Sequence, residues 1–162
     1  MNKIKLINGD VTKPIGNGSK FILHCANNLK VMGSGVAWHL RTKWPKVYES
    51  YIKYNDKETL PLGSISLANV EPNLWVVNMV GQRGIGLDSL GNPPVRYKAV
   101  QAAFDKILYM LNTEDKYPNP SIHVPYKMCS DRAGGDWKTI VKMLETTFCN
   151  HEIPVTAYKF EG

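Results

Sequence analysis

The chain has 162 residues, 43% of them hydrophobic, and a formal net charge of +6. That length fits one domain able to bury a core, and the composition excludes a disordered chain. No stretch is long and apolar enough to cross a membrane, and the first residues lack the apolar region of a secretory signal. The three cysteines form no Cys-x-x-Cys pair, which argues against a zinc site or a disulfide framework and favours a reducing cytoplasm.

The positive charge is spread over the chain, because lysine and arginine are scattered among acidic residues and form no basic run. This pattern indicates a solvated basic surface with a modest attraction for anions such as a polyphosphate. A nucleic-acid-binding domain would need a basic strip with aromatic residues, and its binding would depend steeply on salt. The sequence has no such strip, so we do not expect nucleic acid as a partner.

Strand and helix patterns alternate along the chain. Residues 21–26 form an almost continuous apolar run, as in a strand buried on both faces. Pro45 divides a helical stretch in two, since the residue before a proline disfavours helix while proline suits a first helical turn. In chain order we predict strand 4–8, strand 21–26, helix 36–44, a helix from 45 or 46 to 54, strands 64–69 and 74–80, helix 97–111, strand 121–125, helix 137–148 and strand 155–160.

This order of elements predicts an α/β sandwich with a mixed, largely parallel central sheet, in a single domain over residues 1–162. Residues 81–94 contain four glycines and two prolines and form a long loop, a kind of segment that is often functional in a compact domain.

Two further loops rich in small residues each follow a buried strand and precede a helix: residues 27–35 and 130–136. In open α/β sheets, ligands lie at the carboxyl ends of the strands. Helix N-termini favour anions, and glycine lets the backbone approach a phosphate closely. Together the two loops predict a clamp around a diphosphate. Neither loop carries the P-loop pattern or the three-glycine Rossmann pattern, which argues against those two classes of enzyme.

These segments resemble the macrodomain family. Asn8-Gly9-Asp10-Val11-Thr12 is similar to the family's motif at the end of the first strand. Residues 21–37 look like its first ligand loop, and residues 78–82, 96–97, 124–127, 133–137 and 155–158 also fit, in order along nearly the whole chain. The closest pattern is that of the branch with ADP-ribose-1″-phosphate phosphatases and enzymes that remove ADP-ribose from acidic side chains. The resemblance implies a three-layer α/β/α macrodomain sandwich.

The resemblance also implies the partners and the binding residues. We expect a cytoplasmic monomer, in the host cytoplasm if a virus encodes it, that takes ADP-ribose, ADP-ribose-1″-phosphate or an ADP-ribosylated protein without a metal or cofactor. Asp10 matches the carboxylate that accepts a hydrogen bond from the adenine amino group, with the Val11 backbone beside it. Asn27 matches the residue that binds the distal ribose. Asp10 could instead serve only a turn or a helix cap, and Asn27 only a turn. The other ligand-binding candidates are Met32, Gly33, Ser34, Gly35, Val36, Gln82, Ser130, Arg132, Ala133, Gly134, Gly135 and Tyr158.

Two of these positions leave alternatives open. Tyr158 matches an aromatic position that lies against adenine, but a core tyrosine on the last strand explains it equally well. Cys129-Ser130-Asp131-Arg132 stands where relatives commonly have Gly-Cys-Gly-Leu. If those glycines use positive φ, Cys129 and Asp131 carry strain or the loop takes another path. Asp131 also brings negative charge to the predicted diphosphate site unless Arg132 or the ligand geometry compensates, and it is itself a candidate chemical group.

The remaining candidates for chemistry are His24 and Asp136. His24 matches a histidine implicated in the phosphatase-like relatives, where an imidazole can activate water or act on the phosphate. The alternative is a buried histidine bonded to backbone. Asp136 can orient water as a general base or cap the helix that follows it.

The sequence favours the phosphatase over its close relatives. The lysine that links covalently to ADP-ribose in the acidic-side-chain branch has no counterpart, because residues 80–83 read Val-Gly-Gln-Arg. We therefore predict a hydrolase of ADP-ribose-1″-phosphate. A de-ADP-ribosylating hydrolase of protein adducts and a non-catalytic ADP-ribose-binding module are the alternatives.

Overall fold

The computed structural model describes residues 3–131 and 133–161. Strands and helices follow one another in the predicted order, and a short 3-10 turn, Cys149–His151, follows the last helix. The strands are β1 Lys5–Asn8, β2 Lys20–Asn27, β3 Ile65–Glu71, β4 Leu74–Gln82, β5 Ser121–Pro125 and β6 Val155–Lys159. The helices are α1 Gly35–Lys43, α2 Pro45–Ile52, α3 Tyr97–Thr113 and α4 Trp137–Thr147.

All six strands belong to one sheet, in the order β1-β6-β5-β2-β4-β3. Each neighbouring pair is parallel except β3 and β4, which run antiparallel. The predicted mixed, largely parallel sheet is therefore confirmed. The carboxyl ends of β2, β4, β5 and β6 meet at one edge of the sheet, and the predicted loops leave from that edge.

Helices cover both faces of the sheet and give three layers, as predicted. Strand β2 has alternate side chains in two separate hydrophobic clusters, one on each face. Ile22 packs on the side of α1 and α2, and Phe21 packs on the side of α3 and α4. Each large aliphatic or aromatic side chain so buried stabilises the fold by about 1.5–3 kcal/mol. This explains why the run at 21–26 is apolar on both faces.

The boundaries of several elements differ from the sequence prediction. Strand β2 begins at Lys20 and ends at Asn27, and β4 continues to Gln82, because Asn27 and Gln82 pair across the two strands after a register shift at Ala26. Backbone hydrogen bonds extend both strands beyond the apolar runs from which they were predicted. Helix α2 ends at Ile52 and α3 continues to Thr113. None of the helices in the described part of the chain is long and apolar enough to span a membrane.

Candidate functional site

A cleft of about 480 Å³ lies at the carboxyl ends of the central strands, between the two predicted small-residue loops. Its volume falls within the range of small-molecule sites in proteins. It brings together most of the residues that the sequence singled out. The predicted residues that line it are His24, Asn27, Met32, Gly33, Ser34, Gly35, Val36, Gln82, Ser130, Asp131 and Ala133.

Asn27 determines the shape of the first loop. Its Nδ2 donates a hydrogen bond to the carbonyl of Val31 at 2.8 Å, and its Oδ1 accepts one from the backbone N–H of Leu29 at 2.9 Å. The hydroxyl of Tyr51, on α2, also lies 2.8 Å from this Oδ1. Asn27 therefore has the turn role that its residue type suggests, and it still lines the cleft.

The N-terminus of α1 opens onto the cleft. Gly35, Val36 and Ala37 form the first turn of this helix and also line the cleft. Gly35 has φ +63, a left-handed conformation that glycine adopts without strain. The first turn contains no acidic residue, so the free N–H groups and the positive end of the helix dipole can attract an anion.

The second loop is held by close backbone packing. Cys129 has φ +64, so the strain predicted for a residue that replaces glycine is present there. The N–H of Gly135 donates to the carbonyl of Cys129 at 2.9 Å, and a Cβ at position 135 would overlap that oxygen. A Cβ on Gly134, which has φ +78, would lie 2.5 Å from the Cβ of Pro93. Gly134 and Gly135 therefore serve packing and are not among the residues that line the cleft.

His24 is a buried histidine in a polar network, with 2% of its surface exposed. Its Nε2 lies 2.6 Å from Oδ1 of Asn78. The Nδ2 of Asn78 lies 3.1 Å from the carbonyl of Val47, which can only accept a hydrogen bond, and 3.1 Å from the hydroxyls of Ser50 and Ser66. The amide orientation is thereby fixed, so Oδ1 must accept a hydrogen from Nε2 of His24. His24 is then the Nε2–H tautomer, with Nδ1 unprotonated.

The environment keeps His24 neutral at physiological pH. Burial lowers the pKa of His24 to about 4, although the hydrogen bond to Asn78 acts in the opposite direction. His24 is among the residues that line the cleft, and its unprotonated Nδ1 can accept a proton. The low pKa makes it a weak base.

The two predicted acidic groups lie in different places. Asp131 is exposed and lines the cleft. Asp136 is the N-cap residue of α4 and is not among the residues that line the cleft. Its Oδ2 accepts a hydrogen bond from the hydroxyl of Thr139 at 2.8 Å, and its N–H donates to the hydroxyl of Tyr97 at 2.8 Å. The geometry places Asp136 at the start of the helix and away from the cleft.

Asp10 and Val11 lie beyond β1, outside the cleft as bounded above. The carboxylate of Asp10 accepts hydrogen bonds from the backbone N–H of Thr12 at 2.9 Å and from its hydroxyl at 2.7 Å. Burial alone would raise the pKa of Asp10, but the bonds from Thr12 and the nearby charges of Lys13 and Lys43 outweigh it and lower the pKa. Asp10 is therefore ionised, with one oxygen engaged in a turn. Val11 is buried.

Tyr158 is buried beneath the loop that follows β1, with 3% of its surface exposed. Its hydroxyl accepts a hydrogen bond from the N–H of Ile15 at 3.0 Å and lies 2.7 Å from Nδ1 of His123. Gly9 lies over the ring, since a Cβ there would be 3.3 Å from a ring carbon. The structure thus places Tyr158 in the core, which was the alternative to a position against adenine.

The cleft also contains residues that the sequence analysis did not single out. Tyr126 and Lys127 follow β5 directly, and Ile85 lies in the long loop after β4. The position of Tyr126 and Lys127 after a buried strand was the signal that could have identified them. Arg132 lies outside the described residues. Among the residues described, no group of three or more His, Cys, Asp or Glu is placed to hold a metal ion.

No family model matches the chain, and no curated protein sequence matches it. Among solved structures, a protein of unknown function from Bacteroides thetaiotaomicron is 34% identical, with a TM-score of 0.86 over 97% of this chain and 98% of that one. A macrodomain protein from Streptomyces coelicolor is 28% identical, with a TM-score of 0.75 over 96% of this chain and 98% of that one. Thermosipho africanus DarTG, solved in complex with ADP-ribose, is 18% identical, with a TM-score of 0.66 over 86% of this chain and 37% of that one.

Proposed function

The chain belongs to the macrodomain family, and we propose that its cleft binds ADP-ribose. The observation that carries this proposal is the cleft of about 480 Å³ between the N-terminus of α1 and the loop after β5. Backbone N–H groups and glycines at such a place suit a diphosphate. The complex of Thermosipho africanus DarTG with ADP-ribose, a protein with the same fold, supports this choice of ligand.

We assign the adenine to the β1 end of the sheet. The ionised carboxylate of Asp10 can accept a hydrogen bond from the adenine amino group there. Asn27, the last residue of β2, lines the cleft farther along the same edge of the sheet. Strands β1 and β2 are three strand spacings apart in the order β1-β6-β5-β2, a distance of about 14 Å. An extended dinucleotide-like ligand can cover that distance across the carboxyl edge of the sheet.

We further propose that the protein hydrolyses ADP-ribose-1″-phosphate. Water attacks the phosphorus, the bond between phosphorus and the 1″ oxygen breaks, and the ribose oxygen takes a proton, which leaves ADP-ribose and inorganic phosphate. The neutral His24 can accept the proton of the attacking water through Nδ1. Asp131 at the rim of the cleft is the second group that could do so.

A non-catalytic ADP-ribose-binding module is the second candidate function. It is favoured by the weakness of His24 as a base and by the position of Asp136 away from the cleft. A hydrolase of protein adducts would use the same cleft with a different group at the distal ribose. A cytoplasmic location stays a prediction.

One titration with two readouts tests these proposals. ADP-ribose binding is measured by calorimetry, and phosphate release from ADP-ribose-1″-phosphate is followed on the same sample. We expect binding with release, and His24→Ala should abolish release while it preserves binding. Binding without release would support the binding module, and no binding would refute the cleft as an ADP-ribose site.

Asp10→Asn tests the position of the adenine. The asparagine keeps an oxygen for Thr12 but removes the charge, and we expect about tenfold weaker ADP-ribose binding, the order expected for loss of one hydrogen bond to a charged group. Asp115→Asn, an exposed position before β5, is the matched control and should bind like the parent protein. Unchanged binding by Asp10→Asn would refute the assigned orientation.

A further inference from the structure

An aromatic ring and two lysines form a cluster at the edge of the cleft that the site described above does not use. Tyr126 and Lys127 line the cleft, and the Nζ of Lys127 lies 5.5 Å from the centre of the Tyr126 ring. The Nζ of Lys159 lies 5.4 Å from the same centre. Trp137 packs against the ring edge-on, with the two ring centres 5.6 Å apart. The ring is therefore held in place with two ammonium groups around it.

In the described part of the chain, no acidic side chain forms an ion pair with this cluster. Within the described residues, neither Lys127 nor Lys159 makes an ion pair, and both side chains are exposed. Two like charges beside one ring repel each other, and an anion between them removes that repulsion. The cluster thus has the charge of an anion site and also the Tyr126 hydroxyl as a hydrogen-bond donor.

The backbone at Lys127 gives a second, independent observation. Lys127 has φ +62, a left-handed conformation that glycine adopts without cost and a lysine does not. The turn itself needs only the backbone, because the carbonyl of Lys127 accepts a hydrogen bond from the N–H of Ser130 at 2.9 Å. The left-handed conformation of Lys127 therefore carries a conformational cost that a glycine at this turn would not have.

The sheet register places the cluster between the two ends of the proposed ligand. The N–H of Tyr126 donates to the carbonyl of Tyr158 at 2.9 Å, so Tyr126 lies beside the end of β6, where Lys159 is. The N–H of Gly9 donates to the carbonyl of Lys159 at 2.9 Å, and Asp10 follows directly. The cluster therefore lies on the path from Asp10 to Asn27, where a nucleotide bound in the assigned orientation has its phosphates.

We propose that Tyr126, Lys127 and Lys159 form an anion subsite for the diphosphate of the bound nucleotide. This inference rests on the proposed function, because that function supplies the diphosphate. The two lysines also explain how the loop after β5 accepts a diphosphate although Asp131 brings negative charge to it. Lys127 and Lys159 then contribute to affinity through the phosphates, with no contact to the adenine.

Four ligand titrations separate this role from a structural one. The parent protein, Lys127→Gly and Lys159→Met are titrated with ADP-ribose, ADP, adenosine and inorganic pyrophosphate. Lys116→Met is the matched control, because the Nζ of Lys116 lies 5.4 Å from the ring of Tyr117 near the amino ends of the strands, away from the cleft. Lys127→Gly suits the left-handed backbone and should melt at the same temperature as the parent protein or higher.

We expect Lys127→Gly and Lys159→Met each to bind ADP-ribose, ADP and pyrophosphate about twofold to fivefold more weakly, the range for one exposed charge on an anion. Adenosine binding should not change, the salt dependence of ADP-ribose binding should become shallower, and Lys116→Met should match the parent protein in every titration.

Three results would overturn the subsite. The first is that Lys127→Gly and Lys159→Met bind pyrophosphate as tightly as the parent protein does. The second is that the parent protein does not bind pyrophosphate. The third is that the two variants lose as much affinity for adenosine as for ADP-ribose. If the parent protein binds pyrophosphate through these lysines but does not bind ADP-ribose, the proposed function fails and the anion subsite stands. If it binds ADP-ribose and the variants bind equally well, the subsite fails and the proposed function stands.

Discussion

His24→Gln should change how the stability of the protein depends on pH. The ring of His24 is buried and neutral, with Nε2–H donated to Asn78. A glutamine has an Nε2 at a similar reach, so it can make the same hydrogen bond but cannot take up a proton. The substitution therefore removes the titration of this position and keeps the network on which the local packing depends.

The size of the effect follows from the pKa of His24 in the two states. Above pH 6.5 the imidazole is neutral in both the folded and the unfolded chain, and it contributes no pH dependence. Between pH 6.5 and about 4 the unfolded chain binds a proton that the folded protein does not bind, so the free energy of unfolding falls as the pH falls. The full difference of about 2.5 pKa units corresponds to about 3 kcal/mol.

Urea denaturation at a series of pH values between 7.5 and 4.5 measures this difference. We expect the free energy of unfolding of the parent protein to fall more steeply with acid than that of His24→Gln, with the gap opening below pH 6.5. The exposed His39→Gln serves as the control for the substitution itself. A gap that stays constant over the whole range would refute the neutral, buried state of His24.

Two further predictions concern stability. Gly135→Ala should cost about 2 kcal/mol or more, because its Cβ would overlap the carbonyl oxygen of Cys129, whereas Gly86→Ala, with open space around the added Cβ, should change thermal stability little. Equal melting temperatures for the two variants would contradict this account of the loop. Tyr158→Phe should lower the free energy of unfolding by about 1–3 kcal/mol, because it leaves a backbone N–H of the loop after β1 and Nδ1 of His123 without their partner. Parent-like stability in urea denaturation would show that these bonds contribute nothing net.

The sequence predicted most of the fold because its strands and helices are marked by strong local signals. The run at 21–26 is apolar on both faces and is a strand buried on both faces. Pro45 separates two helices at the predicted position. The boundaries were less accurate, since hydrogen bonds between neighbouring strands extend β2 and β4 through polar residues that carry no apolar pattern.

The sequence predicted which residues belong to the candidate site where their position along a strand determines this. It did not predict the cases in which the direction of a side chain determines whether the residue belongs to the site. Both small-residue loops line the cleft because each follows a strand that ends at the same edge of the sheet. The local sequence does not reveal that the carboxylate of Asp136 bonds Thr139, or that the hydroxyl of Tyr158 bonds His123. The direction of the Tyr158 side chain depends on a contact with a residue far away in the chain. The direction of the Asp136 side chain depends on which of several nearby hydrogen-bond partners it takes.

The bonds of Asn27 have a consequence for the kinetics of binding. Through Leu29, Val31 and Tyr51 the first loop is tied both to itself and to α2. The conformational entropy of this loop is therefore lost when the chain folds, before any nucleotide arrives. A ligand meets one wall of the cleft already in its final shape, so we expect its capture to be governed by diffusion and charge, and its residence time by the contacts made after entry.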